Sequence, residues 1–436
     1  MRNALTSKEA IKLVKKYGSP LFVTRQEAML ENIYNYFKYF KAYKGEFCLC
    51  YSAKTNPIVA LLKIFREESV LAEVCSMLDI ESSTLAGYKG GEIIFDGLVK
   101  TSEELDKAVK FGFRIINVET FDEVRQIENI CQKHKKRANI GIRLTFPSLR
   151  VGLKSLLGIS YDRFGLEADG AELKEILEFV QKSRYLKLIG VHCHTGSNQK
   201  SAKRYLVGID ALTDLMVKLK SEYGFEVEII NLGGGLGVEN ITAYKVTDIA
   251  LNSLKSFLKL DINYKNTSLN FESLGKEIVD YLEKKLEEKG LKYPTLMLEP
   301  GRSLIGNTTD LISTVITRKE TKHNNWLIID AGTNLMPILT LYSEYHEVDV
   351  LTKNKEKKRT SIAGPLLYSS DIVLTNRMLK QGSSNDLVII RNTGAYFSCQ
   401  SNQFLQPRAA TVLTKGRSSR VVQRRETVKD ILVRDI

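Results

Sequence analysis

The chain has 436 residues, enough for two or three domains of about 150 residues each, although a closed α/β barrel runs longer as one unit. With 43% hydrophobic and 26% charged residues, 29 glycines and only 8 prolines, it falls outside the collagenous, disordered and disulfide-scaffold classes. Its net charge of +13 is spread over basic clusters at 133–137, 353–359 and 417–425 without interleaved aromatics, so solvated surface is the better reading and nucleic-acid binding the weaker one. No apolar run approaches the ~20 residues of a spanning helix, so no membrane role is expected. Residues 1–15 carry charges throughout and hold no apolar signal core. Six cysteines without a Cys-x-x-Cys pair point to a reducing, cytoplasmic setting.

In chain order, short β-branched and apolar runs occur at 47–52, 71–75, 92–95, 114–118, 139–145, 187–193, 226–232 and 295–298. Helical spacing fills the intervals. At 56–68, Ile58, Leu61, Leu62 and Phe65 share one face; at 102–111, a Thr-Ser-Glu-Glu signal opens a helix. Eight alternations of strand and helix predict a (β/α)8 barrel rather than an open doubly wound sheet. Beyond residue 300 the runs at 311–319, 325–330, 387–390 and 410–413 lack helical period and predict a mainly β C-terminal domain, with 353–359 as a solvated loop.

Chemistry in such a barrel gathers at the C-terminal strand ends. The first strand ends at Lys54, and a lysine at a barrel mouth can be tuned as a covalent anchor. The sixth ends His192-Cys193-His194-Thr195-Gly196-Ser197. No third ligand follows this histidine pair at the usual spacing, so no metal is expected, and a ring there can stack on a planar cofactor. The seventh ends Gly233-Gly234-Gly235, whose bare N–H groups suit a phosphate. The eighth ends Glu299-Pro300-Gly301-Arg302, a carboxylate and a guanidinium at the same rim. Together they describe a pocket for pyridoxal 5′-phosphate.

The ordered motifs YSAKTN with Lys54, HCHTGS with His194, NLGGGLG, EPGRSL, IIDAGTN with Asp330 and NTGAY with Tyr396 resemble the diaminopimelate decarboxylases, pyridoxal-phosphate enzymes of the alanine-racemase fold type. The resemblance runs from Tyr17 to Leu413. It implies a cofactor-binding barrel at 27–305, a β-rich domain from 1–26 and 306–436, and a homodimer with shared active sites. It implies Lys54 as covalent anchor, His194 stacked on the pyridine ring, and Ser197, Gly234, Gly235 and Arg302 at the phosphate. Glu299 would pair with the pyridine nitrogen, and Arg302, Asp330, Tyr342, Tyr368 and Tyr396 would line the substrate or cofactor side.

Departures from the family fall on substrate recognition and on the proton donor. Ile338 stands where the family carries an arginine for the distal carboxylate. In the segment Gly364-Pro365-Leu366-Leu367-Tyr368, Leu367 replaces a cysteine that returns a proton, and Tyr368 replaces a carboxylate for the distal ammonium. A diaminopimelate head group buried without these partners would cost on the order of several kcal/mol. The sequence therefore points to decarboxylation of another small or carrier-linked amino acid, with Tyr368 ahead of Cys399 as proton donor. Racemase, epimerase or deaminase chemistry on the same cofactor is the alternative.

Overall fold

In the computed structural model, residues 4–145, 163–239, 241–243, 251, 254–255, 258, 269–322 and 324–436 are described. The chain divides into two compact units, one formed by 32–237 and 269–301, the other by 1–31, 238–268 and 302–436.

The first unit is a closed parallel barrel. Its strands are β1 (Phe47–Ser52), β2 (Leu71–Val74), β3 (Ile93–Phe95), β4 (Ile115–Val118), β5 (Ala138–Thr145), β6 (Leu186–Cys193), β7 (Ile229–Asn231) and β8 (Thr295–Leu298). Each pairs in parallel with the next, and β8 pairs with β1 to close the ring. Closure pairs both edges of these eight strands, and a two-residue strand, Leu166–Glu167, adds in parallel to the end of β5. The expected strand at 226–232 is confined to Ile229–Asn231.

The intervening helices form where the sequence caps them. Thr101 and Glu104 make a reciprocal capping box at Ser102–Phe111, and Gly112 ends that helix in the left-handed region. Val59–Glu67 buries Leu61, Leu62, Ile64 and Phe65, each contributing about 1.5–3 kcal/mol of transfer energy where a large side chain is fully covered. Inside the barrel, Cys48, Cys50, Ile94, Ile115, Ile189, Ile229 and Met297 form an apolar plug. Buried polar groups occupy the strand ends: Glu73, Asp96, Asn117, His192, Asn231 and Glu299. The apolar plug and the polar rim together place chemistry at the mouth.

The second unit holds a nine-stranded sheet among the described residues. Leu21–Arg25 lies between Thr309–Glu320, antiparallel, and Ala410–Lys415, parallel, so the first residues of the chain complete a sheet built from its last third. The helix Ser7–Tyr17 covers that sheet through Ala10 and Leu13. A second apolar cluster gathers Leu327, Ile329, Leu335, Met336, Ile338 and Phe397.

Two expectations need correction. The 353–359 segment is not wholly a loop: Lys357–Ala363 is a strand, paired with Ile372–Lys380 and Asn325–Ile329. Its first two residues are exposed lysines, so their charge hid the start of an element whose burial begins only at Thr360. The described residues between 238 and 268, expected within the barrel, cluster with the β-rich unit, and Thr242–Ala243 pairs with Glu344–Tyr345.

Candidate active site

Lys54 sits in the 3-10 turn Ala53–Thr55 that follows β1. Its Nζ lies 2.9 and 3.3 Å from the carboxylate oxygens of Glu73 and 3.2 Å from Cys75 Sγ. The Cys75 thiol donates to the same Glu73 carboxylate at 2.6 Å. Glu73 is buried, while the Lys54 side chain is 48% exposed and open to a reactant. The Cys75 N–H donates to Asp79, whose carboxyl is pushed up to about 6 by burial.

A polar array lies deeper in the mouth. Asn117 on β4 donates to Asp96 at 2.6 Å, and Asn231 on β7 donates to Glu299 at 2.6 Å. Against both carboxyls packs His192 on β6, with Nδ1 3.6 Å from Asp96 Oδ1 and Nε2 3.5 Å from Glu299 Oε2. The ring is buried, and neither nitrogen has a hydrogen-bond partner. Burial pushes Glu299 well above the usual carboxylate range, with Asp96 and Glu73 adding repulsion. Burial opposes charge on Asp96 too, yet His192, Arg143 and Lys54 hold it below that range. One carboxyl of the pair thus keeps a proton. Burial lowers the His192 ring to about 4.

Asp96, His192 and Glu299 also offer ligand atoms within 4.8 Å of one another, a set that the His192–His194 reading missed. Because burial keeps a proton on Glu299 and a metal ligand must be deprotonated, the arrangement suits a hydrogen-bonded cluster better than chelation.

The glycine turn after β7 is fixed by close packing. A Cβ on Gly234 would stand 2.4 Å from the Glu299 carbonyl oxygen, and one on Gly235, at φ +107°, 2.2 Å from that of Gly196. The Gln199 N–H donates to the Gly235 carbonyl at 2.8 Å, fastening the loop that carries His194 and Ser197 beside the turn. Among the described residues, the N–H groups of Gly234 and Gly235 and the exposed Ser197 hydroxyl have no partner.

The β-rich unit holds the other expected residues. Arg302 makes a two-pronged ion pair with Glu344, at 2.8 and 2.7 Å, and lies 5.3 Å from the Tyr396 ring centre. Tyr342 is exposed. The Tyr368 hydroxyl bonds to Thr333 Oγ1, which donates in turn to Asp371 at 3.0 Å, and Phe404 packs edge-on against the Tyr368 ring. Ile338 is wholly buried, whereas Leu367 is 88% exposed. Asp330, expected beside the substrate, instead accepts from Ser19, Ser313 and the Thr314 N–H, which ties its carboxylate to strand pairing.

A family model for the pyridoxal-binding domain of pyridoxal-dependent decarboxylases matches residues 30–306. The chain belongs to the pyridoxal-dependent decarboxylase family. Diaminopimelate decarboxylase of Methanocaldococcus jannaschii is 30% identical, over 98% of this chain and 93% of the relative. That of Aquifex aeolicus is 28% identical, over 95% and 91%. Crystal structures of the M. jannaschii enzyme, one of them in complex with L-lysine, superpose with a TM-score of 0.85 at 28% identity, over 98% of this chain and 94% of theirs.

This decarboxylase uses pyridoxal 5′-phosphate, and its residues fit that group. Two unpartnered backbone donors and a free hydroxyl suit the phosphate, a proton-bearing carboxyl suits a pyridine nitrogen, and a half-open lysine suits the aldehyde. Sequence reasoning overlooked Glu73, Cys75, Asp96, Arg143 and Glu344. All but Glu344 lie at or just beyond an apolar strand run, as in LAEVC, IIFD and IGIRL, and that placement was the available signal.

Proposed function

We propose that this decarboxylase acts on an amino acid whose distal end is uncharged, acylated or joined to a larger carrier, and that meso-diaminopimelate is not its substrate. The observation that carries this reading is Ile338, which takes the position of the family's distal arginine and packs into an apolar core with Ile329, Leu335 and Met336. The position therefore offers no cation. Tyr368, at the position of the distal carboxylate, spends its hydroxyl on Thr333 and its ring on Phe404.

On this reading Lys54 anchors the cofactor, and Glu73 is placed to take the proton that its amine must lose. His194 stacks on the cofactor ring, while Ser197, Gly234 and Gly235 hold the phosphate. Arg302, with two prongs committed to Glu344 and a buried, unbonded Nε, and Tyr396, whose ring lies beside it, keep the cofactor-binding roles that the family resemblance implies. Glu299 faces the pyridine nitrogen. When bound, the cofactor supplies the electron sink for the charge left as carbon dioxide departs. Tyr368 returns the proton, through the chain of Thr333 and Asp371 behind its hydroxyl. Tyr342 lines the substrate side, and Asp330 leaves the substrate set.

The exposed Leu341, Tyr342, Leu367, Tyr368, Phe404 and Leu405 are apolar side chains that a homodimer would cover, and they support that assembly. Six free cysteines support a cytoplasmic setting. Incubating the purified enzyme with free and acylated amino acids, while following carbon dioxide and product mass together, tests the substrate class. Release of carbon dioxide from an acylated or neutral-ended amino acid supports it. Efficient release from meso-diaminopimelate overturns it.

A further inference from the structure

Behind Glu299 the structure builds something that anchoring a pyridine nitrogen does not by itself require. Asp96, His192 and Glu299 come from the ends of β3, β6 and β8, are all buried, and cluster with ligand atoms within 4.8 Å of one another, the imidazole reaching Asp96 through Nδ1 at 3.6 Å and Glu299 through Nε2 at 3.5 Å. A buried imidazole with both nitrogens unbonded is costly, on the order of 1–3 kcal/mol for each unsatisfied group. A movement of about half an ångström satisfies both, with Nδ1–H donating to Asp96 and Nε2 accepting from Glu299. Asn117 and Asn231 hold the two carboxyls in place from β4 and β7, so five barrel strands contribute to the cluster.

We propose that Asp96 and His192 form a proton relay behind Glu299 that raises its basicity and thereby sets the protonation of the cofactor's pyridine nitrogen. This rests on the pairing of Glu299 with that nitrogen proposed above. Asp96 fixes the His192 tautomer with the proton on Nδ1, which leaves Nε2 as the acceptor for the Glu299 proton. With its proton given up to a bound pyridine nitrogen, Glu299 would be a carboxylate beside Asp96, and two nearby negative charges rather than one would then favour the protonated nitrogen. Both residues act through Glu299 and are positioning residues. The groups around the cluster are Glu73 and Cys75 at the end of β2, Cys50 on β1, Lys54 in its turn, Lys100 after β3, Arg143 on β5, and Cys193 and His194 at the end of β6.

The test is a titration of cofactor labelled with ¹⁵N in the pyridine ring, followed by its chemical shift in the loaded wild type and in Asp96→Asn, His192→Asn and Glu299→Gln. The wild type should keep the nitrogen protonated between about pH 6 and pH 9. Asp96→Asn should lower the midpoint by about one unit or more, a tenfold loss of proton affinity, and His192→Asn by less, since the Asp96 charge stays. His192→Gln, whose amide can bridge the same two carboxyls, should restore part of the shift. If Glu299→Gln loses the proton while the Asp96 and His192 variants titrate like wild type, the relay is wrong and the pairing stands. If Glu299→Gln also keeps the proton, the pairing fails and the relay with it. Should Asp96→Asn not fold, an unshifted titration in His192→Asn overturns the relay on its own.

Discussion

Replacing Ile338 by alanine separates a core residue from a pocket residue. The side chain has 0% exposure among the apolar residues of the β-rich unit, so the substitution forfeits its full transfer energy. Three carbons are removed at about 0.8 kcal/mol each, and a cavity term follows because packed neighbours relax only in part, for a loss of about 3–4 kcal/mol. The only tryptophan of the chain, Trp326, lies in the strand that contributes Leu327 and Ile329 to the same cluster, so its fluorescence reports on the unit perturbed. With a urea dependence of about 1–3 kcal/mol per molar, the unfolding midpoint should fall by about 1 M or more. KM for the true substrate should stay within about a factor of two, since no substrate contact is removed. A midpoint within a few tenths of wild type, together with a changed substrate range, would show that residue 338 faces the pocket and would refute the reasoning.

Borohydride reduction of the loaded enzyme and peptide mapping should place the pyridoxyl group on Lys54, and a label on any other lysine removes that residue from the centre of the site. Tyr368→Phe should keep cofactor affinity while lowering turnover by about 10²-fold, or should change the product formed in deuterated solvent; an unchanged rate and product exclude the hydroxyl as donor. The lowered His192 predicts acid sensitivity. Between the unfolded value near 6.5 and the folded value of about 4, the unfolded state binds more protons, so stability is lost as pH falls through that window, by on the order of 3 kcal/mol. Asp79, raised to about 6, works with the opposite sort of sign and gains stability as pH falls toward its unfolded range. The difference between wild type and His192→Asn in urea midpoint at about pH 6.5 and about pH 4.5 isolates the histidine, and an equal acid loss in both contradicts the assignment.

The barrel was legible in the sequence because its strands, buried on both faces, read as apolar runs, and because Thr101–Glu104 and similar caps mark where helices begin. Lys54, His194, the glycine turn and Glu299 were legible for a related reason: each ends such a run, and strand ends are where a barrel places chemistry. What the linear order could not contain was partnership. Glu73 meets Lys54 only because β1 and β2 pair side by side, and His192 meets Asp96 and Glu299 only because ring closure brings β3, β6 and β8 to one rim, across distances in sequence that no periodicity spans. Likewise, the replacement of an expected arginine by Ile338 was visible in the sequence, but its burial in a core that a charged side chain could not enter cheaply was decided by the packing of the β-rich unit.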